Sequence, residues 1–476
     1  MRNHSRVRNL ALTALCAGSS LGVAGLVAMP GQALAATTVA CSNITGSGST
    51  LQTPAQQNTF SQVAATDGAF KNCTSTPSVF YNYESDDTTP YPGGGTGSGA
   101  AQKEFASAAP NAITPGSSSN GTWLDGFGGM DAAPNAANLS LAASAAGTDA
   151  EVVPIMQAPV AVIVNLPSGC TVGANPKVTN LDLLAAWENN ITWQTLLTDA
   201  KAKPKGTCSS AITLEARSDS SGTTYAFRQY LYQLSQLTGD GVYTTNQIST
   251  SAAEGQSSGG GWPSATDGSS ATVSPHEDDN GGPGAGANAG SGGVSNAVAT
   301  NPGSMGYVNA ADANEFNGFN KWSSGKTKFW VEVQNNGTGT SKVTAAEPAT
   351  GTNKGNCYAT YTGSLPSNTS DPDWSNVAVA NPHMKSSTVY PLCTLTYDEA
   401  WHSYAADSTV AAFYNARYSG ETAAGVGNTV RDYLTWLLST GTSKDGQAVV
   451  PTYYSKLPAN IQKFAAATVK NEVAVN

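Results

Sequence analysis

The apolar positions of this chain switch repeatedly between two periods. Residues 211–216 alternate as a half-buried strand would, and residues 159–166, Pro-Val-Ala-Val-Ile-Val-Asn-Leu, read as a fully buried parallel strand because the run is short and β-branched. Elsewhere the spacing lengthens to that of a helix. Phe227, Tyr230, Leu231 and Leu234 recur at helical spacing, and residues 181–197 read as one helix or two short ones with Leu181, Leu184, Trp187 and Ile191 turned inward. Pro54 suits the first turn of a helix with Phe60 and Val63 on its apolar side, and Phe105 marks the core face of residues 100–109. Regular structure is expected again at residues 303–308, 428–439 and 459–471. Strands alternating with helices predict a layered α/β fold. Residues 249–301, rich in Gly, Ser and Asn, read for the most part as a long surface loop.

The junction between one strand and one helix carries chemistry. Residues 217–223 read Arg-Ser-Asp-Ser-Ser-Gly-Thr, a polar turn where a helix N-terminus offers unpaired N–H groups and partial positive charge to an anion. Arg217 adds a forked, permanently charged donor, Ser221 and Thr223 add hydroxyls, and Gly222 admits a close approach to the backbone. Three further polar turns resemble it: Gly-Ser-Gly-Ser-Thr at 46–50, Gly-Ser-Gly at 97–99, and Phe-Gly-Gly-Met-Asp at 127–131. Taken singly, each has a plainer reading. Thr50, Ser98 and Ser221 suit helix caps, Asp131 a turn, and Arg217 with Asp219 a surface ion pair.

Composition places these turns in an exported protein. Arg2, Arg6 and Arg8 precede an acid-free apolar stretch ending in Ala33-Leu34-Ala35, the pattern of a secretory signal peptide over residues 1–35. Its removal leaves 20 basic against 33 acidic side chains, a net charge of −13, which argues against nucleic acid and anionic membranes as partners. Cys16 leaves with the signal. Six cysteines remain, and an even number in an exported chain implies disulfides; among the fifteen pairings, the nearest-neighbour set Cys41–Cys73, Cys170–Cys208 and Cys357–Cys393 is preferred. A lipid anchor at Cys41 is disfavoured because Thr-Val-Ala-Cys lacks the leucine of a good lipobox. No Cys-x-x-Cys spacing occurs, and His276-Glu277-Asp278-Asp279 lacks the spacing of a calcium loop, so neither metal nor cofactor is expected.

Taken together, the turns resemble those of the phosphate-binding subunit of bacterial phosphate ABC transporters, the PstS-like periplasmic binding proteins. The resemblance runs from Gly-x-Gly-x-Thr at 46–50 through Gly-Ser-Gly-Ala-x-x-Lys-x-Phe at 97–105 and Phe-Gly-x-x-Asp at 127–131 to a strand ending Asn-Leu-Pro at 165–167. Arg-x-Asp-x-Ser-Gly-Thr at 217–223, Pro-Gly-Ser-x-Gly-Tyr-Val at 302–308, Tyr-Pro-Leu at 390–392 and Leu-Pro at 457–458 complete it.

The resemblance implies a two-domain periplasmic-binding-protein fold of type II, each domain a mixed sheet flanked by helices, with the ligand in the interdomain cleft. Residues 36–157 and 390–476 would form a discontinuous first domain and residues 158–389 the second. It further implies inorganic phosphate as ligand, bound by Thr50, the N–H of Leu51, Ser98, Asp131, Arg217, Ser221, Gly222 and Thr223, with Asp219 orienting Arg217. Leu51 stands where the family usually has an aromatic residue, and Met130 where it has a small one. Asp131 would read the ligand's proton, since phosphate can donate a hydrogen to a carboxylate at neutral pH and sulfate cannot. No catalytic residue is implied. The partner would be the membrane permease of an ABC importer, and the protein a monomer. Two other readings stay open: a secreted phosphate scavenger or surface protein not coupled to transport, and an exported phosphatase or hydrolase using Ser221 or Thr50 as nucleophile in the same oxyanion site, although no Gly-x-Ser-x-Gly elbow occurs.

Overall fold

The computed structural model describes residues 38–81, 98, 101, 126–134, 139–140, 143, 147–217, 221–239, 290–336, 343–352, 354–382, 388–404 and 422–474. The signal peptide, Phe105, Asp219, His276–Asp279 and most of the Gly-rich stretch lie outside them. Among the described residues the core is a mixed sheet with strand order β2-β1-β3-β13-β4-β9-β8, to which β10 adds beside β4. Its strands are β1 (Ile44–Gly48), β2 (Val79–Tyr81), β3 (Phe127–Met130), β4 (Ala150–Asn165), β8 (Thr213–Glu215), β9 (Ser304–Asn309), β10 (Lys328–Trp330) and β13 (Cys393–Trp401). Two small sheets flank it: β5 (Cys170–Val172) pairs with β7 (Pro204–Gly206), and β11 (Glu332–Gln334) lies between β6 (Lys177–Val178) and β12 (Ala345–Ala346).

The apolar run expected at 159–166 is the second half of β4, a 16-residue strand buried from end to end. Its burial is as expected, but its pairing is not parallel. It runs antiparallel to β13 along residues 150–159, then antiparallel to β9 and β10 along residues 160–165. Burial on both faces makes a strand continuously apolar whichever way its neighbours run, so composition could not reveal direction. Pro154, which has no N–H for the ladder, sits where the register with β13 shifts between Thr396 and Tyr397.

The register of β4 positions everything else. β1 and β3 are parallel, and β3 ends at Met130, level with Tyr397 and hence with Pro154. β8 and β9 are parallel to each other and descend β4 in the opposite sense, so that β9 ends at Asn309, level with Val160. The carboxyl ends of two parallel strand pairs therefore meet at the waist of β4. Ligands of open α/β sheets bind outside such ends.

The helices are α1 (contiguous segments Thr53–Ala55, Gln56–Phe60 and Ser61–Val63, the middle one a π-turn), α2 (Asn180–Trp187), α3 (Trp193–Asp199), α4 (Gly222–Thr238), α5 (Gly290–Thr300), α6 (Ala310–Asn317), α7 (Ala423–Leu437) and α8 (Ala459–Glu472). Residues 181–197 resolve into two helices, each capped by a threonine, Thr179 and Thr192. Leu184 and Trp187 are buried as expected. Leu181 is 45% exposed, because the residue that takes the inward position of the first turn is Asn180, bonded to Gln334 and Tyr230. The end of the expected 249–301 loop is also revised, since residues 290–300 form α5. Val294 and Val298 lie one turn apart and pack onto β9 at Gly306, an apolar pair concealed in a glycine-rich sequence. Three disulfides join Cys41–Cys73, Cys170–Cys208 and Cys357–Cys393, the nearest-neighbour set. No helix among the described residues is long and apolar enough to cross a membrane.

Candidate anion-binding site

Three chain reversals converge at the waist of β4. At the end of β1, Gly48 adopts φ +123°, and a Cβ there would lie 2.4 Å from the carbonyl of Gly129 in β3. The chain then turns through Ser49, Thr50 and Leu51 into α1. At the end of β3, what the sequence suggested as a turn over residues 127–131 is strand up to Met130, and Asp131 is the first residue beyond it. The hydroxyl of Thr394 in β13 holds the Asp131 carbonyl at 3.0 Å. β8 leads into Arg217, and Ser221 caps α4, its hydroxyl accepting the N–H of Thr224 at 3.1 Å. The first N–H groups of α4, at Gly222 and Thr223, have no intrahelical acceptor.

Asp131 is 3% exposed, and three hydroxyls surround its carboxylate. Ser49 donates to Oδ1, Ser98 donates to Oδ2 at 3.3 Å while accepting the Asp131 N–H at 2.9 Å, and Thr223 reaches Oδ2 at 3.5 Å. Burial raises the carboxyl to about 6, a rise restrained by the Ser49 bond, the positive charge of Arg217, and the Ser98 and Thr223 bonds. Arg217 is itself buried, donating from its guanidinium to Thr50 Oγ1 at 3.3 Å and from its backbone to the hydroxyl of Tyr307. Tyr307 also bonds Thr224, tying β9 to the first turn of α4. Leu51 presents its carbonyl to Asn309 and Tyr454, and among the described residues no acceptor meets its N–H.

The structure thus gathers Thr50, Leu51, Ser98, Asp131, Arg217, Ser221, Gly222 and Thr223 into one buried cluster, and Asp219 alone of the expected set lies outside the described residues. Two participants escaped the sequence reading. Ser49, just past the end of β1, was concealed within Gly-Ser-Gly-Ser-Thr, where nothing local distinguishes it from Ser47. Asp312, in the first turn of α6, looks in sequence like an ordinary acid at a helix N-terminus. It is instead 1% exposed, with Oδ2 lacking a hydrogen-bond partner among the described residues. Burial pushes it well above the carboxylate range; Ser291 and Arg217 oppose that rise, while Glu315 and Asp131 add to it. Asp312 lines a cleft of about 380 Å³ with Thr50, Pro54 and Gln57 on one side and Gly290 and Ser291 of α5 on another, so Thr50 belongs to the cluster and borders this cleft.

The donor set suits a tetrahedral oxyanion. Hydroxyls that bond Asp131 can rotate to donate to an incoming anion, which frees the carboxylate to accept a hydrogen from it.

No protein-family profile matches the chain, and no curated protein does. Solved structures do match. A phosphate binding protein from Stenotrophomonas maltophilia aligns over 90% of this chain and 94% of its own, with 16% identity and a TM-score of 0.53. A human phosphate binding apolipoprotein aligns over 89% of this chain and 94% of its own, with 18% identity and a TM-score of 0.51. This chain has the fold of the solved phosphate-binding proteins. The resemblance drawn from the ordered turns is met in the architecture. At such identities the likeness concerns the fold.

Proposed function

We propose that this chain is an exported solute-binding protein that captures inorganic phosphate in the crevice at the waist of β4 and delivers it to the permease of an ABC importer. The observation that carries the reading is the buried Asp131 carboxylate, placed beside Arg217, a helix N-terminus and three hydroxyls. An acid in an anion pocket repels its ligand unless the ligand brings a hydrogen, and hydrogen phosphate does. A site built around a ligand's hydrogen rejects an analogue lacking it by up to ~10⁴–10⁵. Three disulfides accord with export to an oxidising compartment. The two ends of β4, each paired with a different set of strands, would serve as the framework on which residues 36–157 with 390–476 close against residues 158–389.

Calorimetric titration of phosphate-stripped protein with phosphate, sulfate and arsenate tests the reading. Phosphate and arsenate should bind at micromolar concentration or below and sulfate should not; absence of phosphate binding in that range overturns it. In Asp131→Asn the preference for phosphate over sulfate should fall at least about tenfold, because the amide can donate to a ligand oxygen. An unchanged preference removes Asp131 from the role assigned. Coupling to import is read separately, from phosphate uptake by cells lacking the protein.

A further inference from the structure

At the opposite end of β4, a second cluster of ionisable groups lies outside the crevice. Glu151 near the start of β4 pairs with Ala400 of β13, and the ladder continues beyond β13 with the His402 N–H bonded to the carbonyl of Asp149 at 2.8 Å. The chain leaving α8 returns to the same corner, where the Ala474 N–H meets the carbonyl of Trp401. These contacts bring Glu472 of α8 beside the other two. His402 Nδ1 lies 3.5 Å from Glu151 Oε1 and 3.8 Å from Glu472 Oε2, and one donor atom from each residue falls within 4.8 Å of the others.

We propose that Glu151, His402 and Glu472 form a zinc site that fastens the C-terminal helix to the central strands. Two observations make the cluster more than a collection of charges. Glu151 is 2% exposed, and its Oε2 is buried without a hydrogen-bond partner among the described residues. Glu472 and Asp149 beside it are both acidic, so like charges crowd the carboxylate. A proton shared through Oε1 would leave that oxygen unpartnered, whereas a cation held by both oxygens of the carboxylate satisfies it.

One imidazole nitrogen with two carboxylates is a donor set for Zn²⁺, with a fourth position left to water. Zinc–ligand bonds of about 2.0–2.2 Å put tetrahedral ligand atoms ~3.3–3.6 Å apart. The separation from His402 to Glu151 is already in that range, and movement of the long Glu472 side chain closes the other two. Thr369 donates to Glu472 Oε1 at 2.7 Å, an outer-shell bond that orients the carboxylate. The side chain of His402 is 35% exposed, which gives the ion an entry path. The three residues come from positions 151, 402 and 472, so no local spacing could reveal the set. Cys41, Cys73 and Asp432 also lie close together, but both sulfurs there belong to a disulfide and ligate nothing. Seven residue steps along the strand lead from Glu151 to Ala158, which pairs with the Thr394 that holds Asp131, a distance of ~23 Å.

The test uses the full exported chain without a histidine tag, treated with chelator and dialysed into phosphate-free buffer. Zn²⁺ titration by calorimetry, with metal content measured after gel filtration, should give one ion per chain and a rise in Tm. His402→Ala should weaken zinc binding by ~100-fold or more, and the near-isosteric Glu472→Gln, retained in case the first variant folds poorly, by at least ~10-fold. Phosphate affinity should stay within about twofold in both, which separates failure of this site from failure of the anion site. No zinc uptake by the wild type, or wild-type zinc affinity in either folded variant, overturns the proposal.

Discussion

Asp131 and Glu151 are carboxyl groups buried in one sheet, one at the waist of β4 and one near its start, and their surroundings differ in kind. Around Asp131 three hydroxyls and Arg217 oppose the cost of burial, so the group stops at about 6 and is chiefly ionised at neutral pH. Around Glu151 the carboxylates of Glu472 and Asp149 are like charges, one oxygen has no partner among the described residues, and the group reaches about 8. Burial is common to both, and only the donors distinguish them. A buried acid supplied with donors is kept as an acceptor that can read a hydrogen, whereas one without donors needs a proton or a metal ion.

The strongest way to break that contrast is to remove the cation that Asp131 has and Glu151 lacks. Arg217→Met keeps much of the volume but strips the charge from between Asp131 and Asp312, on both of which Arg217 acts. Loss of one partner from a buried charged set costs about 3–5 kcal/mol, so phosphate affinity should fall by ~10³-fold. The Asp131 carboxyl should also rise towards the range of Glu151, measurable by carboxylate infrared bands across a pH series. A variant that binds phosphate within tenfold of wild type would show that Arg217 does not face the ligand.

A smaller effect comes from protons alone. Asp131 keeps its proton to about pH 6 in the folded, ligand-free protein, against about 3.8 when unfolded. The folded state therefore binds more protons in that window, and this group's contribution to stability falls as pH rises through it, by roughly 3 kcal/mol in total. Glu151 acts in the same direction, but from its ordinary 4.5 up to about 8. Urea unfolding of the zinc-free protein from pH 4 to pH 8 should separate the two: Asp131→Asn flattens the slope only below about pH 6, whereas Glu151→Gln flattens it from about pH 4.5 up to pH 8. Equal slopes for Asp131→Asn and wild type below pH 6 would remove the distinction between the sites.

How much of this was legible depended on sequence distance. The disulfides close loops of 32–38 residues and were readable as neighbours in order. Phe227, Tyr230, Leu231 and Leu234 are buried where helical spacing put them, and the polar turns marked Thr50, Ser98, Asp131 and Arg217 because each lies beside glycine or a hydroxyl in the sequence. What failed was set by remote partners. The direction of β4 depends on β9 and β13, more than a hundred residues away, and Leu181 lost the inward position to an asparagine whose acceptor and donor come from Gln334 and Tyr230. Asp312 and Ser49 were missed for the same reason. Their chemistry lies in what the fold sets beside them, Ser291 for one and Asp131 for the other.

Gly222→Ala gives the smallest effect and the narrowest test, because it leaves every donor and charge in place. A methyl at this first residue of α4 would lie 2.7 Å from both Asp131 Cβ and Ser98 Oγ, and 2.8 Å from the backbone nitrogen of Ala132. A hydroxyl can turn away, but the backbone nitrogen and the Asp131 Cβ cannot, so α4 must retreat from β3. Overpacking of this kind costs about 1–3 kcal/mol. The retreat would lengthen the Thr223 contact to Asp131, already at 3.5 Å, before it disturbed the Ser49 bond, which comes from β1. Phosphate affinity should fall about 10–100-fold by calorimetry, while the Asp131 carboxyl rises only slightly and zinc affinity at the far end of β4 is unaffected. If the substitution moved both sites, the two acids would be coupled along β4, and the contrast between them would lie in the strand rather than in the donors each one meets.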